Sequence, residues 1–188
     1  MKITLVVSVL NTSRIDLVNE IINEFSDEEF VEQIMLISMI GNIRSKCTNW
    51  SKVTLIDVAW CHLNPEMTVF HTLLDHQDLL SSSTHIAWVN EGVVLFPDDV
   101  SMNYSVSLKR HSSMLDFERD PRKTCYVPHG LGYCEFNGRT FSGKKEKVLE
   151  MMKTVCEGSD KDGYVEGGIN RYVSWYLTMI DQGKEFPE

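Results

Sequence analysis

Three nearly unbroken apolar runs, at residues 3–10, 34–40 and 53–58, set the limits on what this chain can become. A strand with Ile, Leu or Val at almost every position has no polar face to offer water, so it must be covered on both sides. Strands of a mostly parallel sheet, flanked by helices on both faces, meet that condition. The segments between the runs agree. After the first run Ile15, Val18, Ile22 and Phe25 recur at helical spacing, with Ser13 and Asp16 in the positions of a capping box. Pro65 stands where a first helical residue is tolerated, and Met67, Phe70, Leu73 and Leu74 continue one face. A fourth run opens at His85, breaks at Asn90, Glu91 and Gly92, and resumes to Phe96. Alternating strands and helices predict an α/β sandwich, and 188 residues suit one domain spanning 1–188.

Charge narrows the partners. Acidic residues number 27 against 18 basic ones, a net charge of −9, and such a surface repels phosphate backbones and anionic lipid. Nucleic acid is therefore not an expected partner. No apolar run reaches transmembrane length, and the first is too short for a span and lacks a small-residue cleavage site, so no membrane span is expected. The five cysteines (Cys47, Cys61, Cys125, Cys134 and Cys156) form no CxxC pair, and their odd number makes a poor disulfide framework. A reducing, cytoplasmic location is the expectation.

Three segments carry the functional signal. Asp116-Phe-Glu-Arg-Asp-Pro-Arg-Lys-Thr-Cys-Tyr-Val-Pro128 reads, by itself, as a charged surface segment ending in a short strand at 125–127. Residues 133–143 end Thr140-Phe-Ser-Gly143 and run into an amphipathic helix from Lys144, and Val165-Glu-Gly-Gly-Ile-Asn-Arg-Tyr172 has the form of a helix opening. In this order and at these separations the segments resemble glycosyltransferase family 6, the family of the ABO blood-group transferases, in the form of its minimal bacterial and phage-borne members. The resemblance implies a glycosyltransferase A fold with a Rossmann-like, mostly parallel sheet. It also implies a retaining hexosyltransferase that moves galactose or N-acetylgalactosamine from a UDP-sugar donor to a glycan acceptor.

Ligands of an open parallel sheet bind outside the carboxyl ends of its strands, and the first such end is Val9-Leu10-Asn11. Family members turn this loop to the uracil and ribose; Asn11 either supplies a hydrogen-bonding amide there or only starts the turn. Asn90 and Gly92 stand where the fold has its Asp-x-Asp. A hard divalent cation prefers oxygen ligands and bridges to the diphosphate, so losing both carboxylates implies transfer without a metal cofactor. Asp98 and Asp99 read more simply as a helix start. The leaving diphosphate then needs another cation, for which Lys144 and Lys145 at a helix N-terminus are candidates, with Arg171 and Lys184 further ones.

By the same resemblance Glu166 matches the catalytic carboxylate that faces the anomeric carbon, acting as nucleophile or as electrostatic stabiliser of an oxocarbenium-like transition state. Asn170 and Arg171 match the family's Asn-Arg pair, whereas Val165 replaces an Asp that contacts donor hydroxyls. Gly138 and Arg139 fall where the blood-group enzymes contact the donor sugar, Arg139 replacing the small residue that selects the C2 substituent. His111 matches an acceptor-contacting His. The chain ends at Glu188 without the family's basic tail. That departure and the missing Asp-x-Asp leave an alternative: a non-catalytic module that binds a nucleotide sugar or a glycan.

Overall fold

The apolar runs become the centre of the sheet. The computed structural model describes residues 2–59, 65–80, 82–89, 106–110, 120–123, 125–127, 136–159, 168–169 and 171–172. In chain order these form β1 (Ile3–Val9), α1 (Ile15–Ser26), β2 (Val31–Ser38), β3 (Val53–Asp57), α2 (Pro65–Asp75), β4 (His85–Val89), β5 (Val106–Arg110), β6 (Phe136–Lys144) and α3 (Lys145–Ser159). Short 3-10 turns at Thr12–Arg14, Ile43–Ser45 and Gln77–Leu80 join them.

Among the described residues the strands make one six-stranded sheet in the order β3-β2-β1-β4-β6-β5. β1 pairs in parallel with both β2 and β4, and β2 with β3. β6 runs antiparallel to β4 and to β5, so it alone is reversed. All seven residues of β1 are buried, as two covered faces require. Its side chains alternate between two cores. Ile3, Leu5, Val7 and Val9 pack with Val18, Ile22 and Phe25 of α1. Val6, with Met35, Ile37 and Trp88, packs with Phe70 and Leu73 of α2 and Val148, Met152 and Val155 of α3. One face is thus covered by α1 and the other by α2 and α3. The preference for right-handed crossovers explains this division, because the chain winds from β1 out to β3 and then back past β1 to β4.

Thr4 and Ser8 are the buried polar residues of β1 on the second face. The Thr4 hydroxyl meets that of Ser83 at 2.6 Å, so neither of that pair is an orphan in the core. Two local expectations fail. Ser13 lies inside the 3-10 turn, and Arg14, which has no side-chain cap, precedes α1, so the Ser13–Asp16 capping box does not form. Residues 125–127 are not a strand, although Cys125 and Val127 are buried with Tyr126 half-exposed between them. No helix among the described residues is long and apolar enough to cross a membrane.

Candidate functional site

The strand order locates the crevice. From β1 the chain moves outward to β2 and β3, then returns to β4 on the other side of β1, so successive connections diverge between β1 and β4. The loops leaving such a switch point at the carboxyl ends separate and open a cleft. β1 contributes Val9, Leu10 and Asn11 there. Val9 is buried and pairs with Ser38, and Leu10 is half-buried against the α2/α3 core. Asn11 is exposed and extended, and its Oδ1 accepts the Ser13 N–H at 3.0 Å. Its carbonyl accepts the Arg14 N–H at 3.2 Å. Asn11 therefore caps the turn into α1, the structural role foreseen for it.

β2 and β3 end beside it. The Met39 N–H donates to the Val9 carbonyl at 3.0 Å, and the Val58 N–H to that of Ser38 at 2.9 Å, carrying the ladder past the last paired residues. Ser38 is buried; its hydroxyl donates to the Ile40 carbonyl at 2.8 Å and accepts the Ile40 N–H at 3.2 Å. Asp57, paired with Ser38, is exposed. Sequence reasoning passed over Ser38 and Asp57, although each is the polar residue that closes an apolar strand.

The reversed strand brings one predicted segment to this end and takes another away. Val89, the last described residue of β4, pairs with Thr140, so Gly138 and Arg139 lie in β6 just before that pair, toward the carboxyl end of the parallel strands. Lys144 closes β6 opposite His85, the first residue of β4. Four residues of strand, about 14 Å, separate Thr140 from Lys144. Lys144 and Lys145 are therefore at the amino end of the sheet, away from Val9, Leu10 and Asn11, and the expectation that they meet a diphosphate there is corrected. α3 begins at Lys145, one residue after the expected Lys144, which instead ends β6, and the direction of β6 decides which end of the sheet the helix start faces.

At that amino end Lys145 has a structural task. Its N–H donates to the Thr84 carbonyl at 3.0 Å and its Nζ to the Leu80 carbonyl at 3.2 Å, fastening α3 to the turn before β4. Burial, and then the positive charge of Lys144, pull the His85 imidazole below its ordinary pKa. The His85 Nδ1 lies 3.0 Å from the Thr84 hydroxyl.

In the charged segment, Asp120 accepts the Arg122 N–H at 3.0 Å and takes its guanidinium through both carboxylate oxygens, the shortest contact being 2.7 Å. Those hydrogen bonds hold the Asp120 carboxyl below its usual range. Near the end of the described chain Ile169 and Tyr172 are buried in the α2/α3 core, and Arg171 between them is exposed. Glu166, Asn170, Asn90, Gly92 and His111 lie outside the described residues, as do Val165, Asp98, Asp99 and Lys184.

Among the described residues the chain is a mixed α/β fold whose mostly parallel sheet reverses its strand order between β1 and β4, the place where ligands of such sheets bind. Comparison with protein-family models and with curated proteins finds no match to the chain.

Proposed function

We propose that this chain is a retaining glycosyltransferase of the A fold, which moves a hexose of the galactose or N-acetylgalactosamine type from a UDP-sugar to a glycan acceptor. One observation carries the reading. Two segments far apart in sequence, Val9–Asn11 and Gly138–Arg139, lie toward the same end of the sheet, the end that carries the switch point. These are the segments whose family counterparts contact the donor. Lys144 and Lys145 take no part, and Arg171 is the remaining described candidate for the leaving diphosphate. Asn90 and Gly92 offer no carboxylate pair, so transfer proceeds without a divalent metal. Glu166 stabilises the positive charge that develops at the anomeric carbon, or attacks it directly.

The test is a panel of nucleotide sugars, scored for release of free hexose and for transfer to lactose-type and related glycans. Release of galactose or N-acetylgalactosamine from its UDP form, with the anomeric configuration kept on transfer, is the expected result. A second reading, the non-catalytic module, draws support from Asn90 and Gly92 in place of the Asp-x-Asp carboxylates and from Val165 in place of the Asp that contacts donor hydroxyls. It predicts saturable binding of the same donors with no release of sugar.

A further inference from the structure

We propose that Asp57 recognises the ribose of the bound nucleotide, its carboxylate accepting hydrogen bonds from the 2′- and 3′-hydroxyls. The proposal rests on the nucleotide-sugar reading and extends it to a residue that the family resemblance does not assign. Three polar side chains close the described parallel strands at the cleft end: Asn11 just after β1, Ser38 in β2 and Asp57 in β3. The oxygens of Asn11 and Ser38 already serve local turns. Asp57 is exposed, and no hydrogen bond or ion pair engages its carboxylate among the described residues. Among the described residues that close β1, β2 and β3, it is the acceptor with neither carboxylate oxygen engaged.

Its place in the register suits a sugar better than a phosphate. Val9, Ser38 and Asp57 are aligned across three neighbouring strands, so Asp57 lies two strand spacings, about 10 Å, from β1. A carboxylate repels a diphosphate, but over about one Debye length at physiological salt that repulsion is largely screened. A nucleotide whose diphosphate sits at the β1/β4 switch point can extend its uncharged ribose along the edge toward β3. A carboxylate there matches a vicinal diol, because its two oxygens accept two O–H donors side by side. Doubly wound sheets elsewhere use an acid at a strand end beside β1 in this way; here that strand end holds Ser38, turned on itself, and the acid stands one strand further out.

Calorimetric titration of the whole chain with UDP and with 2′,3′-dideoxy-UDP tests the assignment in the native protein and in Asp57→Ala. The native chain should prefer UDP by about tenfold or more, as expected for hydroxyls bonded to a charged group. Asp57→Ala should lose that factor for UDP and leave the dideoxy compound unchanged, so that the preference disappears. The variant replaces an exposed side chain, and an unshifted urea midpoint would show that its fold is intact. A preference that survives in Asp57→Ala, or is absent from the native chain, overturns the assignment and leaves the nucleotide site standing. Failure of the native chain to bind UDP at all overturns both.

Discussion

Trp88 offers the sharpest test of how the cleft-bearing strands are held. It is fully buried in β4, 5.4 Å from Phe70 of α2 and 5.0 Å from Phe141 of β6 between ring centroids, and those two rings are 6.0 Å apart. Its indole Nε1 is buried and has no hydrogen-bond partner among the described residues. Ring packing is thus the source of its stabilisation, and the N–H is a cost. Trp88→Ala removes the packing and should destabilise the protein by about 3–5 kcal/mol. Trp88→Phe loses about 2 kcal/mol of buried ring, by the cost of a few buried carbons. It also removes an unsatisfied donor whose burial costs ~1–3 kcal/mol, so the two changes offset each other to within about 1 kcal/mol. In urea, with a slope of about 2 kcal/mol/M, the Ala variant should shift the unfolding midpoint by about 2 M and the Phe variant by less than about 0.5 M. Equal losses in both variants would refute the reasoning, since they would mean that the N–H makes a stabilising bond.

Three further outcomes are expected. Glu166→Gln should leave nucleotide affinity within about twofold and lower turnover by about a hundredfold or more, roughly 3 kcal/mol in the barrier, measured as hexose release against calorimetric binding. Arg139→Gly should relax selectivity between UDP-galactose and UDP-N-acetylgalactosamine, because a long side chain crowding a fitted site typically costs ~1–3 kcal/mol; an unchanged ratio of kcat/KM would remove Arg139 from the donor pocket. The fold holds the His85 pKa below its unfolded value, so the unfolded chain binds the proton more readily. Stability should therefore fall as pH drops through the unfolded value near 6.5 toward the lower folded value, and thermal melts of His85→Asn should show a weaker decline over that window.

Much of the fold is legible in the sequence because burial on both faces leaves a mark at every position. The first, third and fourth runs became β1, β3 and β4 with their starts at Ile3, Val53 and His85 as read. β2 starts earlier, at Val31, because Glu32 and Gln33 interrupt the apolar pattern at the sheet's amino end. There Glu32 pairs with Lys2 and Gln33 donates to the Thr54 hydroxyl. The five residues of β5 include Ser107, Lys109 and Arg110, and an outer strand of this kind carries no continuous apolar run to betray it. The orientation of β6 was illegible for a deeper reason. Pairing direction is set by contacts between residues more than fifty positions apart, such as His85 with Lys144, and no local pattern encodes it. Hence α3 was found at the right place in the chain, while its N-terminal lysines were assigned to the wrong end of the sheet. At the cleft, Asn11 announced itself as a strand-ending polar residue. The final residues of β2 and β3, Ser38 and Asp57, gave no such signal, because Met39-Ile40 and Val58 carry the apolar runs past them.

The account turns on a nucleotide site at the switch point, and calorimetric titration of the chain with UDP tests that most directly, run in EDTA and again in excess manganese. One saturable site per chain with the same affinity in both conditions is the predicted result. No binding of UDP in either condition would contradict the nucleotide site itself, and binding that appears only with manganese would contradict transfer without a metal.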